Sequence, residues 1–374
     1  MGEVSYRPAW IEVDLGAIYY NIHQLQNRLP EGTEIFAVVK ANGYGHGDVE
    51  VARTAIEAGA SMLAVALLEE ALHLREGGIL APILVLGWVD PKYVPIAVEH
   101  HITLTFFQKS WLEQVKQIPF KGELSLHLKV DTGMGRLGVT TKSELETLLE
   151  VCNDSRLHIA GAFTHFATAD ERGLAYYEHQ QLNWIKLQQI LQSYKNDLLL
   201  HTGNSAASMR FPNQMFDAVR FGISMYGLYP SPIVKEEKPI NLHPAMSLHT
   251  KLIHVKQVPT GRSISYGATY TTDREEWIGT IPLGYADGLA RQLTGMDVLI
   301  EGKRMPIVGK ICMDQCMIRL DQSYPIGTQV TLIGKQFEEE ITMDEIAARL
   351  ETINYEIACM LSSRIPRHYL NSTR

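Results

Sequence analysis

The sequence lacks several features that would assign it to a specialised class of protein. Its 374 residues contain no apolar run of transmembrane length, no low-complexity tract and no repeat of fixed period. The segment Met1–Trp10 carries Glu3 and Arg7 and no apolar core of a signal peptide, so we expect no leader. Four cysteines are too few for a disulfide framework in a chain of this length, and they predict a reducing, cytoplasmic compartment: Cys152, Cys312, Cys316 and Cys359.

An excess of positive charge is also missing. The formal net charge is −8, which argues against a nucleic acid or an anionic membrane surface as the partner. With 45% hydrophobic and 20% charged residues, the composition is that of a globular chain with enough apolar material for two cores.

What the first part of the chain does contain is a regular alternation of short apolar runs and helical patterns. Eight such runs predict strands: Ile35–Val39, Met62–Ala66, Ile83–Leu86, Ile102–Thr105, Leu124–Val130, Ile159–Thr164, Leu198–His201 and Ala218–Ser224. Helices are predicted at Leu15–Arg28, Asp48–Ala58, Glu69–Glu76, Ser110–Gln117, Thr141–Val151 and Leu174–Gln192. This order predicts a parallel (β/α)8 TIM-type barrel over residues 1–240. Because Ser231–Pro239 is charged and bounded by proline, we expect no helix after the eighth strand, and the helix before the first strand is expected to fill that gap.

From Ala245 the pattern changes to period-two alternation with frequent turn residues, which predicts a mainly antiparallel β domain over residues 241–374. The predicted strands are Ser247–Val258, Trp277–Pro282, Val298–Ile300, Ile311–Leu320 and Gln329–Ile333. Helices return only at a capping box that opens at Thr342 and at Asn354–Ser362.

Lys40 stands at the carboxyl end of the first predicted strand, followed by a loop with glycine at every second position. In parallel α/β folds the catalytic and ligand-binding sites lie at the carboxyl ends of the strands. A lysine that leaves a buried strand is partly desolvated, which lowers its pKa and favours a neutral amine for Schiff-base chemistry. An ordinary strand-capping lysine is the alternative.

Gly133-Met-Gly135-Arg136-Leu-Gly138 matches the GxGxxG dinucleotide pattern. That mechanism requires the glycine turn to open a helix. Here Thr141-Lys-Ser-Glu144 is a capping box, so the helix is predicted to begin after the glycine loop. The alternative is a loop that presents Arg136, whose planar guanidinium suits a carboxylate.

The string Ala37-Val-Val-Lys40-Ala-Asn-Gly43-Tyr44-Gly45-His46-Gly47 closely resembles the pyridoxal phosphate lysine motif of alanine racemases. Later motifs match the same family in the same order: Lys129–Gly138, Thr164-His165-Phe166, Arg220-Phe-Gly222-Ile223, Ser263–Thr269 and Gly309–Cys316. The resemblance covers both predicted domains. It implies a pyridoxal 5'-phosphate-dependent alanine racemase, a homodimer with shared active sites, that supplies D-alanine for peptidoglycan.

The resemblance also implies residue roles. Lys40 would hold the cofactor and exchange the α-proton on one face of the substrate, while Tyr266 serves the other face. The cofactor would further contact Tyr44, His165, Ser205, Arg220, Gly222, Ile223 and Tyr355. The substrate carboxylate would meet Arg136 and the backbone N–H of Met313, and access would be narrowed by Tyr285 and Tyr355.

Two of these roles make chemical demands. An arginine facing the pyridine nitrogen, as Arg220 would, keeps that nitrogen unprotonated and weakens the ring as an electron sink. A phenol pKa near 10 must fall by roughly three units, about 4 kcal/mol, for Tyr266 to act as a base near neutrality. Because desolvation raises a phenol pKa, cations must lower it, and His165 with Arg220 are the candidates.

Lys129 has two possible roles. The resemblance implies a carbamylated lysine whose negative charge holds Arg136 in place, whereas the residues alone equally allow an ion pair with Asp131. Cys312 and Cys316 could suggest a metal site, but strand periodicity would put both thiols on one face without further ligands, so we expect core packing and no metal.

Other functions remain to be separated from racemisation. A fold-related amino-acid decarboxylase generally places an acid against the ring nitrogen, where this chain has Arg220. A non-catalytic pyridoxal phosphate-binding barrel lacks the second domain that carries Tyr266 and Met313. A nicotinamide dehydrogenase would leave Lys40 and its motif unexplained.

Overall fold

The structure is a computed structural model that describes residues 6–195 and 197–372. The chain divides into two compact units. The barrel unit consists of Ala17–Gly43 and Asp48–Pro244. The β unit consists of the described part of Met1–Gly16, together with Tyr44–Gly47 and Ala245–Arg374.

The barrel unit contains a closed barrel of eight parallel strands, which confirms the predicted fold class. The strands are Glu34–Val38, Met62–Val65, Ile83–Val85, Ile102–Phe106, Leu124–Lys129, Leu157–Phe163, Leu199–Gly203 and Ala218–Phe221. Each strand pairs with the next, and the first closes the barrel by pairing with the last. Apolar runs form these strands because both faces are covered. The strand Ile102–Phe106, for example, is buried at every position.

Helices alternate with the barrel strands as the sequence predicts. In this part of the chain the structure has helices at Leu15–Gln26, Asp48–Glu57, Leu68–Glu76, Val94–Glu99, Lys109–Gln117, Lys142–Val151, Ala175–Tyr194, Ser205–Arg210 and Pro232–Glu237.

The last of these helices was not expected. Pro232 occupies the first helical position, where a missing N–H costs nothing, and the Ser231 hydroxyl accepts a hydrogen bond from the Val234 N–H at 3.3 Å. The proline that suggested a break therefore starts a helix, and the expectation of a missing helix was wrong.

The β unit is built mainly from antiparallel strands, as predicted. Its strands are Ala9–Asp14, Met246–Lys251, His254–Val258, Ser263–Ile264, Tyr270–Thr271, Glu276–Ile281, Asp297–Ile300, Lys303–Val308, Cys316–Leu320, Gln329–Gln336, Glu339–Ile341 and Arg367–Leu370. Two helices follow the strand Glu339–Ile341, at Met343–Arg349 and Asn354–Met360.

The first strand of the chain belongs to the β unit. Ala9–Asp14 pairs antiparallel with Met246–Lys251 and parallel with Arg367–Leu370. The prediction of a barrel domain over residues 1–240 includes this strand, but the strand pairs with segments that are distant in sequence, which no local pattern records.

Two further strand predictions differ from the structure. The run Ser247–Val258 is two strands, ending at Lys251 and restarting at His254. The strand predicted from Ile311 begins only at Cys316, because the Cys312 N–H donates to the Gln315 carbonyl at 2.9 Å and closes a loop. The two cysteines therefore do not share a face of one strand, and that expectation was wrong.

None of the helices within residues 6–195 and 197–372 combines the length and apolar character needed to cross a membrane.

Candidate active site

Lys40 follows the first barrel strand and begins a turn with left-handed backbone angles. Ala41, Asn42 and Gly43 have φ of 52°, 53° and 58°, and the Gly43 N–H donates to the Val39 carbonyl at 2.9 Å. A left-handed turn is costly for alanine, by roughly 1–2 kcal/mol, so surrounding contacts must hold it.

Glu70 supplies one such contact. Its Oε1 accepts the Ala41 N–H at 2.7 Å, and its Oε2 accepts the N–H groups of Ala66 and Leu67 at 2.7 and 3.1 Å. One carboxylate thus ties the turn after Lys40 to the loop after the second barrel strand. Glu70 was not predicted as a site residue, because its position in a predicted helix gives no sign of this contact.

Lys129 ends the fifth barrel strand and is 5% exposed. Its Nζ donates to the Val130 carbonyl at 3.0 Å and lies 5.0 Å from the centre of the Phe163 ring. Burial holds the pKa of Lys129 well below its ordinary value, and the charges of Arg220 and Arg136 lower it further, against an opposing effect of Asp131. A lower pKa increases the fraction of the neutral amine.

Asp131 serves the glycine loop. Its two oxygens accept the N–H groups of Gly133 and Arg136 at 2.9 and 3.0 Å. Burial alone would raise the pKa of Asp131, but these backbone hydrogen bonds and the Lys129 charge bring it below its ordinary value. The carboxylate thus shapes the loop that presents Arg136, whose side chain is exposed.

The glycine loop does not open a helix. The helix begins at Lys142, where Thr141 accepts the Glu144 N–H at 3.2 Å and the Glu144 carboxylate accepts the Thr141 N–H at 3.1 Å. The prediction that this GxGxxG pattern stops short of the helix N-terminus is confirmed.

Arg220 lies in the last barrel strand and is 4% exposed. Nη1 donates to the His201 carbonyl at 2.8 Å and to His201 Nδ1 at 2.9 Å. Nη2 donates to the carbonyls of Thr164 and Thr202 at 2.5 and 3.1 Å, and contacts His165 Nδ1 at 3.3 Å. Burial, with the Arg136 charge, lowers the pKa of Arg220 to about 9. These hydrogen bonds all use the two terminal nitrogens of the guanidinium.

A chain of two histidines continues from Arg220. Since His201 Nδ1 accepts from the guanidinium, its Nε2 carries the proton and donates to His127 Nδ1 at 2.8 Å. Burial and the Arg220 charge hold the pKa of His201 well below its ordinary value and lower that of His127 to about 3. Both rings are therefore neutral. Sequence reasoning named neither histidine, although each lies in a barrel strand that leads to the site.

His165 shows which side chains the barrel brings together. Burial lowers its pKa well below the ordinary value, and the charges of Arg220, Lys129, Arg136 and Lys40 lower it further, in that order. The five side chains therefore occupy one electropositive region at the carboxyl ends of the strands. Burial and these charges favour the neutral form of His165. Its role behind Tyr266 stays a prediction.

Ser205, Gly222 and Ile223 lie together at the ends of the last two barrel strands. The Gly222 N–H donates to the Ser205 hydroxyl at 3.0 Å, and Ile223 opens a short 3₁₀ turn, Ile223–Tyr226. The Ser205 hydroxyl still has its own proton to donate, and together with the Ile223 N–H at the start of the turn it forms a donor set that suits a phosphate.

In the β unit, Tyr44 lies near Tyr355, with ring centroids 6.2 Å apart. Gly45 explains this proximity, because a Cβ at that position would stand 2.2 Å from the Ala358 carbonyl oxygen. Only glycine lets the segment Tyr44–Gly47 approach the helix Asn354–Met360 this closely.

Three further predicted site residues lie in loops of the β unit. Tyr266 follows Ser265, whose φ is 66° and whose hydroxyl donates to the Lys310 carbonyl at 2.6 Å. The Tyr285 N–H donates to the Cys312 carbonyl at 3.0 Å, next to Met313. The side chains of Tyr266, Tyr285 and Met313 are 72%, 42% and 52% exposed.

Comparison with known proteins places these features in one family. The family model for the alanine racemase N-terminal domain matches residues 13–230, and that for the alanine racemase C-terminal domain matches residues 245–369. The chain belongs to the alanine racemase family.

Relatives cover nearly the whole chain. Alanine racemase 1 of Bacillus subtilis is 52% identical over 98% of this chain and 94% of its own length. The crystal structure of alanine racemase from Bacillus anthracis with bound L-Ala-P has a TM-score of 0.96 and 46% identity, covering 99% of this chain and 97% of that one. A histidine racemase from Leuconostoc mesenteroides also matches, with a TM-score of 0.90 and 32% identity over 99% of this chain and 100% of its own.

Members of the alanine racemase family are isomerases that depend on pyridoxal phosphate, and the donor set of this chain fits that cofactor. Arg220 provides a buried guanidinium, and the Ser205 hydroxyl and the Ile223 N–H are donors at the ends of neighbouring strands that suit a phosphate. Lys40 leaves its strand in the same electropositive region. The amine, the ring contact and the phosphate donors thus match the three parts of the cofactor that a protein must hold.

Proposed function

We propose that this chain interconverts L-alanine and D-alanine and so supplies D-alanine for peptidoglycan. Arg220 carries the proposal. It is buried, and its acceptors within the described part of the chain are carbonyl oxygens and neutral imidazoles. A decarboxylase of related fold would be expected to place an acid there, which makes the ring a stronger electron sink.

Pyridoxal phosphate bound at Lys40 would supply an electron sink that makes the α-proton of an amino acid acidic. Arg220 would donate a hydrogen bond to the ring nitrogen and keep it unprotonated, which limits the chemistry to the α-proton. Ser205, Gly222, Ile223, Tyr44 and Tyr355 would hold the phosphate, and His165 would lie beside the ring.

Lys40 and Tyr266 would exchange the α-proton, one on each face of the substrate. Arg136 and the Met313 N–H would bind the substrate carboxylate, and Tyr285 with Tyr355 would narrow access. Residues 1–240 would then form the cofactor-binding domain, and residues 241–374 would contribute the second base.

Lys129 would be carbamylated. A carbamate forms when a neutral amine attacks CO2 and loses a proton, and the depressed pKa of this buried lysine favours the neutral amine. The product would carry a negative charge in a region where Arg136 and Arg220 are the neighbouring cations. It would therefore hold Arg136 in place for the substrate.

We propose a cytoplasmic homodimer that shares its active sites, with no nucleic acid or membrane partner. A catalytic base works best in a site from which water is excluded, yet Tyr266 is 72% exposed within one chain. Coverage by a second copy of the chain would remove that exposure. Four cysteines and a net charge of −8 suit a reducing compartment without a polyanionic partner.

Incubation of the purified holoenzyme with either alanine enantiomer in D2O tests the reaction. We expect deuterium at Cα and complete loss of optical activity from both enantiomers. Release of CO2 without racemisation would assign a decarboxylase, and no exchange at all would leave a cofactor-binding protein. Serine and histidine, run in parallel, establish the substrate preference.

A further inference from the structure

The β unit contains a buried ion pair whose partners are distant in sequence. Nη1 and Nη2 of Arg7 donate to the two oxygens of Asp287, each at 2.8 Å. The side chain of Asp287 is fully buried, and that of Arg7 is 22% exposed. This bidentate geometry gives the strongest and most directional form of an arginine–carboxylate contact.

Asp287 closes the short turn that carries Tyr285. The turn spans Tyr285–Asp287, and Oδ2 of Asp287 accepts the Gly284 N–H at 3.0 Å. The Asp287 carbonyl accepts the Ser362 N–H at 3.1 Å. The carboxylate and the carbonyl of one residue therefore fix this turn at both ends.

The same turn is bonded to the loop that carries Met313. The N–H groups of Tyr285 and Ala286 donate to the carbonyls of Cys312 and Met313, each at 3.0 Å. A Cβ on Gly284 would stand 2.4 Å from the Met313 oxygen, so the two backbones are in direct contact. A shift of one loop must move the other.

A second arginine extends the charge network to the Met313 loop. Arg364 Nη2 contacts Asp314 at 2.7 Å, and its Nε lies 3.6 Å from Oδ1 of Asp287. Positive and negative charges thus alternate from Arg7 through Asp287 and Arg364 to Asp314, the residue after Met313.

We propose that Asp287, held by Arg7, is a positioning residue that places the Met313 N–H and Tyr285 for the substrate carboxylate. This inference rests on the proposed roles of Met313 and Tyr285. Asp287 acts through these two loops and does not itself touch the substrate.

Arg7→Gln in the holoenzyme tests the proposal, because it removes the bidentate contact at a partly exposed position. We expect KM for both alanine enantiomers to rise about tenfold, the equivalent of one charge-assisted hydrogen bond, with kcat within about threefold of wild type. Competitive inhibition by acetate, which offers only a carboxylate, should weaken by the same factor. Arg7→Lys should recover part of the loss.

Arg304→Gln is the matched control. Arg304 contacts Glu345 at 2.7 Å and Glu339 at 2.9 Å in the same unit, and both partners lie outside the two loops. We expect this variant to lose stability while it retains KM and acetate inhibition. Arg364→Gln, at a more exposed position, provides a second variant if Arg7→Gln does not fold, with an expected rise in KM of about threefold.

The proposal is overturned if Arg7→Gln, or Arg364→Gln in its place, lowers the unfolding temperature while KM and acetate inhibition stay unchanged. An equal change of KM in Arg304→Gln also overturns it. A wild-type protein that does not racemise alanine defeats the proposed function, whereas an active wild type with an unaffected variant defeats only the positioning role.

Discussion

Arg220, His201 and His127 form a buried hydrogen-bonded group. The positive charge of Arg220 favours the neutral form of both imidazoles. The carbonyls of Thr164, Thr202 and His201 accept from it, and His201 passes the hydrogen bond on to His127. Protonation of either ring would place a second positive charge beside the guanidinium in a buried site. The stability of the folded state therefore depends on both imidazole rings remaining neutral.

This dependence predicts acid sensitivity. His127 has a folded-state pKa of about 3 against 6.5 for an unperturbed ring. The unfolded chain binds more protons between these values, so the stabilising contribution is complete above pH 6.5 and is lost as pH falls toward 3. His127→Gln should flatten the fall of unfolding free energy with pH by up to about 1.4 kcal/mol per pH unit. Denaturant unfolding at several pH values measures this slope.

The control for that experiment is His254→Gln, which alters an exposed histidine of the β unit. This variant controls for the removal of one histidine without the loss of a buried contact. Equal slopes for His127→Gln and wild type would show that His127 does not carry the acid sensitivity. Comparing slopes removes any constant loss of stability that the buried substitution causes.

At the scale of structural elements, the segment after Lys40 has a backbone conformation that few residue types adopt without strain. The left-handed turn leads into Gly45, which has φ of +79° and lies against the Ala358 carbonyl. That contact fixes the segment against the helix that carries Tyr355. Glycine is required at this position for conformation and for space.

Gly45→Ala should therefore destabilise the protein and weaken cofactor retention. A left-handed alanine costs roughly 1–2 kcal/mol, and here the added Cβ, 2.2 Å from the Ala358 oxygen, must also displace the helix. Gly32→Ala is a matched control, since Gly32 has φ of +86° and nothing within 4 Å of its added Cβ. Thermal unfolding and the rate of pyridoxal phosphate release measure both effects. Equal losses in the two variants would contradict the role of the Ala358 contact.

At the scale of the whole molecule, the proposed dimer assigns Lys40 and Tyr266 of one active site to different chains. An inactive Lys40→Ala chain mixed with a severely impaired Tyr266→Phe chain tests this under conditions that exchange subunits. A heterodimer then has one site with both residues intact, and its activity should rise toward half the wild-type value. Racemisation by the purified heterodimer is the measurement.

Each variant alone, carried through the same exchange procedure, is the control. If Lys40 and Tyr266 of the same chain formed one site, every site in the heterodimer would be defective. Confirmed heterodimers without recovered activity would thus exclude sharing, and they would leave the cofactor assignment to Lys40 intact.

The sequence by itself determined the features that depend on local pattern. Alternating apolar runs specified the barrel because strands buried on both faces need continuous hydrophobic residues. The capping box at Thr141 predicted that the helix starts after the glycine loop, because its hydrogen bonds join residues only three positions apart. Lys40, His165 and Arg220 were predicted as site residues because the short motifs around them resemble those of alanine racemases.

Only the tertiary structure decided which distant residues meet. Arg7 and Asp287 are 280 positions apart, and His127 and His201 are 74 apart. No local sequence pattern indicates these pairs, because each contact forms only when segments distant in sequence pack together in the folded chain. Folding likewise makes His165 neutral, because burial and several surrounding cations lower its pKa. Motifs thus identify chemically capable residues, and the fold sets their charge and their partners.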